Sequence, residues 1–170
     1  MQLTPFTLEH FSILPSWFPN QAAIVQWGGP RLHYPLDGDQ MLGMLAEGLQ
    51  QPPARLCWMA QEGDLMVGHV QLAFDWDNGN ALLGRVAIAP EQRGRGYAIP
   101  MLKLAMAEAF SHAVIQRLEL NVYTFNQPAI HTYRRLGFVH EGTRRSSTAV
   151  GTERWDVSGM AILRGEYSPE

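Results

Sequence analysis

Helices are predicted over five stretches of the chain, at 7–14, 20–25, 37–50, 97–111 and 128–136. In the third and fourth stretches apolar residues recur at helical spacing, the main sequence signal of an amphipathic helix. We expect the third helix to have one apolar face, made by Met41, Leu42, Leu45 and Leu49. Asn20 and either Asp37 or Asp39 supply N-caps, and Gly137 ends the last helix.

Strands are predicted at 2–5, 56–61, 65–74, 81–88, 118–122, 138–145 and 155–163, with hairpin turns at 62–64 and 77–80. These runs are short, apolar or alternating, and bounded by turn residues. A polar loop is expected between the last two strands. The order is therefore β-α-α-α-β-β-β-α-β-α-β-β. It predicts a mixed sheet with helices on both faces, an α/β or α+β fold.

Composition narrows the class of protein. The 170 residues are 46% hydrophobic and 17% charged, which predicts one globular domain over 1–170. The net charge of −3 argues against nucleic acid or an anionic membrane as a partner. Cys57 is the single cysteine, so no internal disulfide is expected, and no apolar run is long enough to cross a membrane. The first residues include Glu9 and no basic segment, so we expect no signal peptide and a cytoplasmic location.

The most informative stretch joins the end of a predicted strand to the start of a helix. It reads Val86-Ala87-Ile88-Ala89-Pro90-Glu91-Gln92-Arg93-Gly94-Arg95-Gly96-Tyr97-Ala98. Its two glycines permit a tight turn and the close approach of a ligand. Successive backbone N–H groups at the positive end of a helix suit a pyrophosphate, although a Gly-x-Gly pair alone is also typical of a solvated turn.

Two other phosphate-binding loops fit this stretch less well. A P-loop requires Lys and then Ser or Thr after its last glycine, whereas Tyr97 and Ala98 follow Gly96. A dinucleotide-binding fingerprint requires a third glycine and an acidic residue at the end of a second parallel strand. Here Glu119 lies inside the next predicted strand, so that fingerprint is incomplete.

The segment at 92–98 resembles the Gln/Arg-x-x-Gly-x-Gly/Ala pyrophosphate signature of the GNAT superfamily of N-acetyltransferases. The segment at 126–138 resembles that superfamily's second motif, Asn-x-x-Ala-x-x-x-Tyr-x-x-x-Gly-Phe, through Asn126, Ala129, Tyr133, Gly137 and Phe138. The segments at 141–142 and 155–160 resemble the branch that acts on the N-termini of ribosomal proteins, which has relatives that act on aminoglycosides.

The resemblance implies a mostly antiparallel sheet that is splayed open between two central parallel strands, at 83–88 and 118–122. Main-chain groups near Val86, Ala87 and Ile88 would pair with the pantetheine arm of acetyl-CoA as if it were an added strand. Asn126 and Ala129 would contact the same arm. The pyrophosphate would be held by the loop residues, Gln92, Arg93, Gly94, Arg95, Gly96, Tyr97 and Ala98. The implied reaction moves an acetyl group to a primary amine and releases coenzyme A.

Tyr133 is the candidate general acid, because it lies seven residues after Asn126 on the helix that would face the cofactor. A phenol with a pKa of about 10 is protonated at neutral pH and can donate to a departing thiolate. A tyrosine that only packs on the sheet is the alternative.

The general base is open. Several relatives of the ribosomal type have a glutamate five residues before the asparagine, and this chain has Asn121 there. Glu119, on the same strand face as Asn121, is one alternative, and His69 or a water relay are others. A weak base favours an α-amine or a sugar-type amine over lysine, because an α-amine pKa of about 8 leaves more of it neutral.

The remaining reactive residues have less specific surroundings. Cys57 is predicted to be a buried, inert thiol, and the histidines lack ligand spacing, so no metal is expected. Aromatic and acidic loop residues line the acceptor side or pack in the core, namely Trp17, Trp27, Tyr34, Asp75, Trp76 and Asp77.

Two functions stay open at the level of sequence. One is an acetyl-CoA-dependent N-acetyltransferase that acts on a protein or peptide α-amine or on a small-molecule amine. The other is a non-catalytic sensor of coenzyme A or acyl-CoA that keeps the phosphate-binding loop. Tyr133 and the intact loop favour the enzyme. The oligomeric state is also open, with a homodimer paired through the final hairpin as one option.

Overall fold

The computed structural model describes residues 1–169, which contain seven strands and four α-helices. The strands are β1 (Gln2–Pro5), β2 (Arg55–Glu62), β3 (Leu65–Asp75), β4 (Asn80–Ile88), β5 (Arg117–Tyr123), β6 (Val139–Val150) and β7 (Glu153–Leu163). The helices are α1 (Gln21–Gly28), α2 (Gly38–Gly48), α3 (Ala98–Ser111) and α4 (Gln127–Arg135). Short 3₁₀ turns lie at Leu8–Ser12, Leu14–Trp17, Pro90–Gln92 and Arg164–Glu166.

All seven strands form one sheet, in the order β1-β2-β3-β4-β5-β7-β6. β4 and β5 are parallel neighbours, and the other pairs are antiparallel. The two parallel strands pair only at their beginnings, up to Leu83 opposite Leu120. Beyond these residues each strand continues without the other, so the sheet opens into a V. The predicted mixed sheet with a splayed centre is confirmed.

A bulge in β4 lies at the mouth of this opening. Gln71 of β3 pairs with Gly84, but His69 pairs with Ala87, so β4 carries one extra residue. Arg85 sits in the bulge with a φ of 49°, a left-handed conformation that few non-glycine residues adopt. Because a bulge bends its strand and increases the local twist, it helps to turn β4 away from β5.

Helices cover both faces of the sheet, as predicted. On one face α3 and α4 bury Met101, Leu102 and Ile130 against the sheet. On the other face α1, α2 and the first 3₁₀ turns form a second apolar cluster that includes Ile24 and Met41. Within residues 1–169, no helix is both long and apolar enough to cross a membrane.

Two of the four residues predicted for the apolar face of α2 are exposed. Met41 and Met44 are buried, whereas Leu42 is 48% exposed and Leu49 is 82% exposed. The buried pair is spaced by three residues, so it forms the stripe that faces the sheet. Leu42 points away from that stripe, and Leu49 lies beyond the helix as its C-cap.

Two predicted boundaries also differ from the structure. The stretch at 7–14 is not one helix, because it divides into two 3₁₀ turns, and Pro15 lies in the first turn of the second of them, Leu14–Trp17. The polar loop expected between the last strands is largely strand. β6 and β7 continue to a tight turn at Gly151, whose φ is 58°, and a register shift between Arg144 and Thr148 accommodates the polar residues.

Candidate active site

A cleft of about 860 Å³ occupies the opening between β4 and β5. β4 contributes residues 84–88, of which Gly84, Ala87 and Ile88 pair with β3, and their edge toward the cleft is unpaired. β5 contributes residues 121–123, which pair with β7 in the same way. Free backbone groups on a strand edge accept an extended ligand as an additional strand. The candidate residues Val86, Ala87 and Ile88 all line this edge.

The loop that follows β4 is a ready anion site. Gly94 and Gly96 have φ values of 76° and 83°, which only glycine adopts without strain. Within residues 1–169, no backbone carbonyl accepts a hydrogen bond from the N–H groups of 94–98. A Cβ built on either glycine meets no atom within 4 Å, so the space above the loop is open. Unpaired donors, open space and a helix N-terminus fit a diphosphate.

Two neighbouring side chains extend this loop toward the cleft. Arg93 lines the cleft, and its Nε donates to the Ile88 carbonyl at 3.3 Å. The Gln92 Oε1 is buried and has no hydrogen-bond partner among the described residues. Tyr97 is half-buried and packs on the core beside α3.

The start of α4 forms the opposite wall. Asn126 is the N-cap of this helix, and its Oδ1 accepts the Ala129 N–H at 3.4 Å. Both residues line the cleft. The sequence places a cap there because a side-chain oxygen must satisfy the first free N–H groups of a helix.

Tyr133 lies in the same wall, one turn further along α4. It is 7% exposed, and its ring packs edge-on against Phe138 with centroids 5.8 Å apart. Burial raises the pKa of Tyr133 to about 12. Its phenol oxygen makes no hydrogen bond to any part of the chain within residues 1–169. The group is therefore a protonated donor that lines the cleft and has no partner in the described part of the chain.

Glu119 and Asn121 lie on the same face of β5, as predicted, and both line a second cavity of about 410 Å³. The Glu119 carboxylate accepts from Arg117 Nε at 2.8 Å, and Arg117 also binds Glu141 through two nitrogens. The Asn121 Oδ1 accepts from Arg144 at 2.7 Å. Asn121 lines the main cleft as well, whereas Glu119 does not. The structure therefore joins the two cavities at Asn121.

The remaining candidates are divided between the cleft and the rest of the molecule. Trp17 and Trp27 line the cleft from the α1 side. Trp76 is remote, because it stacks on Phe74 and donates to the Pro53 carbonyl at 2.8 Å. Asp75 and Asp77 lie at the distant turn between β3 and β4, and Tyr34 is in an exposed loop, so the acceptor-side interpretation of these residues is wrong.

Burial also determines the protonation of two further residues, His69 and Cys57. His69 is 0% exposed, and burial, with the charges of Arg85 and His10, lowers its pKa to about 3. It does not line the cleft, so it has no access to an incoming amine. Burial raises the pKa of the Cys57 thiol to about 12, which agrees with the predicted inert cysteine.

Comparison with known proteins identifies the family of this chain. The model of the acetyltransferase (GNAT) family matches residues 20–138. The chain belongs to this family. It is an N-acetyltransferase, and its acetyl donor is acetyl-CoA, for which the open strand edge and the amide-lined loop provide a fitting site.

The relatives differ in how much of the chain they match. An uncharacterized prophage-derived N-acetyltransferase, YokL, of Bacillus subtilis is 30% identical over 137 residues, which are 80% of this chain and 76% of the relative. Spermidine N(1)-acetyltransferase of Vibrio cholerae is 31% identical over 83 residues, about half of each protein (49% and 48%). The match to spermidine N(1)-acetyltransferase of Escherichia coli K12 is 34% identical over 86 residues and is similarly partial.

The solved structures confirm the fold. The Vibrio cholerae spermidine N-acetyltransferase in complex with CoA and spermine superposes with a TM-score of 0.83 at 21% identity, covering 98% of this chain and 96% of that chain. An F149A mutant of the same enzyme gives a TM-score of 0.81 at 20% identity. The specific resemblance to the ribosomal-protein branch is not reproduced in these relatives.

Proposed function

We propose that this acetyltransferase acetylates a primary amine that enters the cleft from the α1 side, opposite the phosphate-binding loop. The observation that carries the proposal is the single cleft, which connects the free edge of β4, the loop and Tyr133 with the aromatic wall of Trp17 and Trp27. A ternary complex requires both reactants in one cavity, and holding them in the right geometry lowers the barrier of such a bimolecular step.

The donor is held by main-chain groups more than by side chains. Val86 and Ile88 line the cleft where an extended arm would lie, and the unpaired N–H groups of 94–98, next to the cleft residues Arg93 and Ala98, would bind the diphosphate. Asn126 and Ala129 close the other side. Because these contacts use fixed backbone, the thioester end of the donor is aimed without ordering many side chains.

Acetyl-CoA supplies an activated thioester, so the chain itself needs to orient the amine and manage protons. Tyr133 Oη is protonated and lines the cleft, and we assign it the proton that the sulfur receives as the carbon–sulfur bond breaks. Its raised pKa keeps the proton in place at neutral pH, and a hydrogen bond to the developing thiolate assists departure.

Among the described residues that line the cleft, none is a carboxylate that would act as a strong base. Asn121 occupies the position between the two cavities, and an amide is not a base. Glu119 is in the adjoining cavity and is paired with Arg117. A proton from an amine in the cleft would therefore reach it only through water. We therefore propose an acceptor whose amine is partly neutral at physiological pH, an α-amine or a small-molecule amine of similar pKa, in preference to a lysine side chain.

Two classes of acceptor amine are consistent with the family of this chain. The relatives include enzymes named for spermidine, a small-molecule amine, and the expected resemblance to the ribosomal-protein branch points to a peptide α-amine. Calorimetric titration with acetyl-CoA, followed by thiol-release assays on polyamines, aminoglycosides, amino acids and short peptides, tests the function. Thiol release with an amine from this panel supports it, and tight binding without release on any amine would favour a sensor instead.

A further inference from the structure

The α1 side of the cleft carries a positive charge that the donor site does not explain. Among the described residues that line the cleft, the charged ones are two arginines, Arg85 and Arg93, and no Asp or Glu is present. Arg93 belongs to the phosphate-binding loop. Arg85 lies with α1, since its carbonyl accepts the Trp27 Nε1–H at 2.8 Å and its Nε is 3.9 Å from a Cβ built on Gly28.

The Arg85 guanidinium has no carboxylate within ion-pair distance in residues 1–169. Its Nη1 donates to Gln71 Oε1 at 3.1 Å, and the same oxygen accepts from Arg55 Nη1 at 3.2 Å. Glu47 pairs with Arg55 at 2.6 Å. Glu47 is therefore the ion-pair partner of Arg55, and the positive charge of Arg85 has no ion-pair partner among the described residues.

Burial, and then the charge of Arg55, lower the pKa of Arg85 to about 10. The group is still charged at neutral pH, and four of its five N–H donors lack a partner inside the described chain. A half-buried guanidinium of this kind is well suited to a carboxylate, which it binds through two parallel hydrogen bonds.

The wall beside Arg85 is aromatic. Phe18 stacks on Trp27 with ring centroids 4.5 Å apart, and both residues line the cleft together with Trp17. These rings offer a flat apolar surface, which favours an acceptor with a compact apolar or aromatic body. A polyamine would instead bring several ammonium groups to a cleft whose described lining residues include no carboxylate.

We propose that Arg85 binds a carboxylate of the acceptor, so the acceptor is a primary amine that also carries a carboxylate, such as a free amino acid. This inference rests on the proposed function and specifies its substrate class. It makes Arg85 a specificity-determining residue, while the chemistry stays with Tyr133. The bulge in β4 contributes by turning Arg85 toward α1 at the mouth of the opening.

The first test uses the unaltered protein and acceptors that differ in one group. Thiol release from acetyl-CoA is measured with the proteinogenic amino acids, with the amide of each amino acid, with phenethylamine and with spermidine. We expect the best acceptor to be an amino acid whose kcat/KM, expressed per concentration of neutral amine because the amide has the lower amine pKa, exceeds that of its own amide by at least about 10-fold, the range of a charge-assisted hydrogen bond. Amides that match or exceed the acids, or spermidine as the best acceptor, would overturn the inference.

The second test is Arg85→Gln, with Arg135→Gln, an exposed arginine of α4 outside the cleft lining, as a matched control. For Arg85→Gln we expect the KM of the amino acid to rise at least about 10-fold, while the KM of the amide and the Kd of acetyl-CoA change less than about 2-fold. Equal losses for acid and amide would indicate a structural role and contradict the proposal. If Arg85→Gln does not fold, the comparison of acids with amides on the unaltered protein decides.

The two proposals fail in different ways. Binding of acetyl-CoA without thiol release on any amine contradicts the proposed function. If acceptors with and without a carboxylate give equal thiol release, the proposed function is still supported, and only the role assigned to Arg85 is contradicted.

Discussion

Tyr133 shows how a residue's surroundings set its chemistry. The sequence places it seven residues after Asn126, and the helix carries it into the wall of the cleft. There the ring is buried against Phe138 and the hydroxyl has no partner in the described chain. Desolvation disfavours the phenolate, so the hydroxyl keeps its proton at neutral pH, which is the state that the proposed role as general acid requires.

Replacing Tyr133 with Phe removes the hydroxyl and keeps the ring. We expect kcat to fall by roughly 100-fold, because general acid catalysis contributes at least this much, while the Kd of acetyl-CoA changes little. Steady-state kinetics and calorimetry on the same preparation provide the measurement. Tyr123→Phe is the control, since Tyr123 also lines the cleft. A kcat within a few-fold of the unaltered enzyme would contradict the assignment of Tyr133.

Burial of His69 is expected to make the free energy of unfolding depend on pH. Its folded pKa of about 3 lies below the ordinary 6.5, so the unfolded chain binds a proton that the folded chain refuses. The stabilising effect of neutral His69 is present above pH 6.5 and is lost as the pH falls toward the folded pKa. Between about pH 7 and 5 this proton lowers the free energy of unfolding by roughly 2 kcal/mol.

His69→Gln is therefore expected to flatten the pH dependence of unfolding in that interval. Denaturant unfolding followed at several pH values measures the slope. His131→Gln, at an exposed position of α4, is the control and leaves the slope unchanged. An unaltered slope in His69→Gln would mean that His69 is accessible to protons in the folded state.

The loop after β4 is an element whose geometry follows directly from its sequence. Its glycines at positive φ, its unpaired N–H groups and the helix that begins at Ala98 were all predicted from the order strand, glycines, helix. The reason is that these properties are local. A positive φ requires glycine, and the first N–H groups of any helix lack internal partners.

Gly96→Val tests whether the loop binds the diphosphate. Gly63→Val is the control, because it also places a valine at a positive φ. Gly96 and Gly63 both have positive φ, and a Cβ on either meets no atom of the protein within 4 Å. Each valine variant is expected to lose about 1–2 kcal/mol of stability from the left-handed conformation. Only Gly96→Val is expected to raise the Kd of acetyl-CoA, by at least about 30-fold, because its side chain enters the diphosphate space. Equal Kd values in the two variants would show that the diphosphate lies elsewhere.

Elements whose form depends on distant partners were predicted less well. The apolar face of α2 was misjudged at Leu42 and Leu49, because the sheet selects a stripe that begins at Met41 and includes Met44. The polar stretch before β7 forms strand because β7 offers it hydrogen bonds. Likewise, the pairing of Gln71 with Arg85 and Arg55 joins residues far apart in sequence. Sequence alone carries no signal for such a contact.

The whole molecule is built around the divergence of its two parallel strands. β4 and β5 share only their first four paired positions and then separate, and helices on both faces close the resulting V into one cleft. Backbone groups line the part of the cleft beside β4, and the part beside α1 is aromatic and positively charged. The sequence predicted the opening through a family resemblance, while the distribution of charge within it became evident only from the fold.

The central claim is that one cleft grips a diphosphate on the N–H groups of 94–98 and aims the sulfur at Tyr133. A crystal structure of the protein with coenzyme A tests it most directly. The account predicts the diphosphate within hydrogen-bond distance of these N–H groups, the arm along the edge of residues 86–88, and the sulfur within reach of Tyr133 Oη. A diphosphate bound elsewhere, or a sulfur directed away from the phenol, would contradict it.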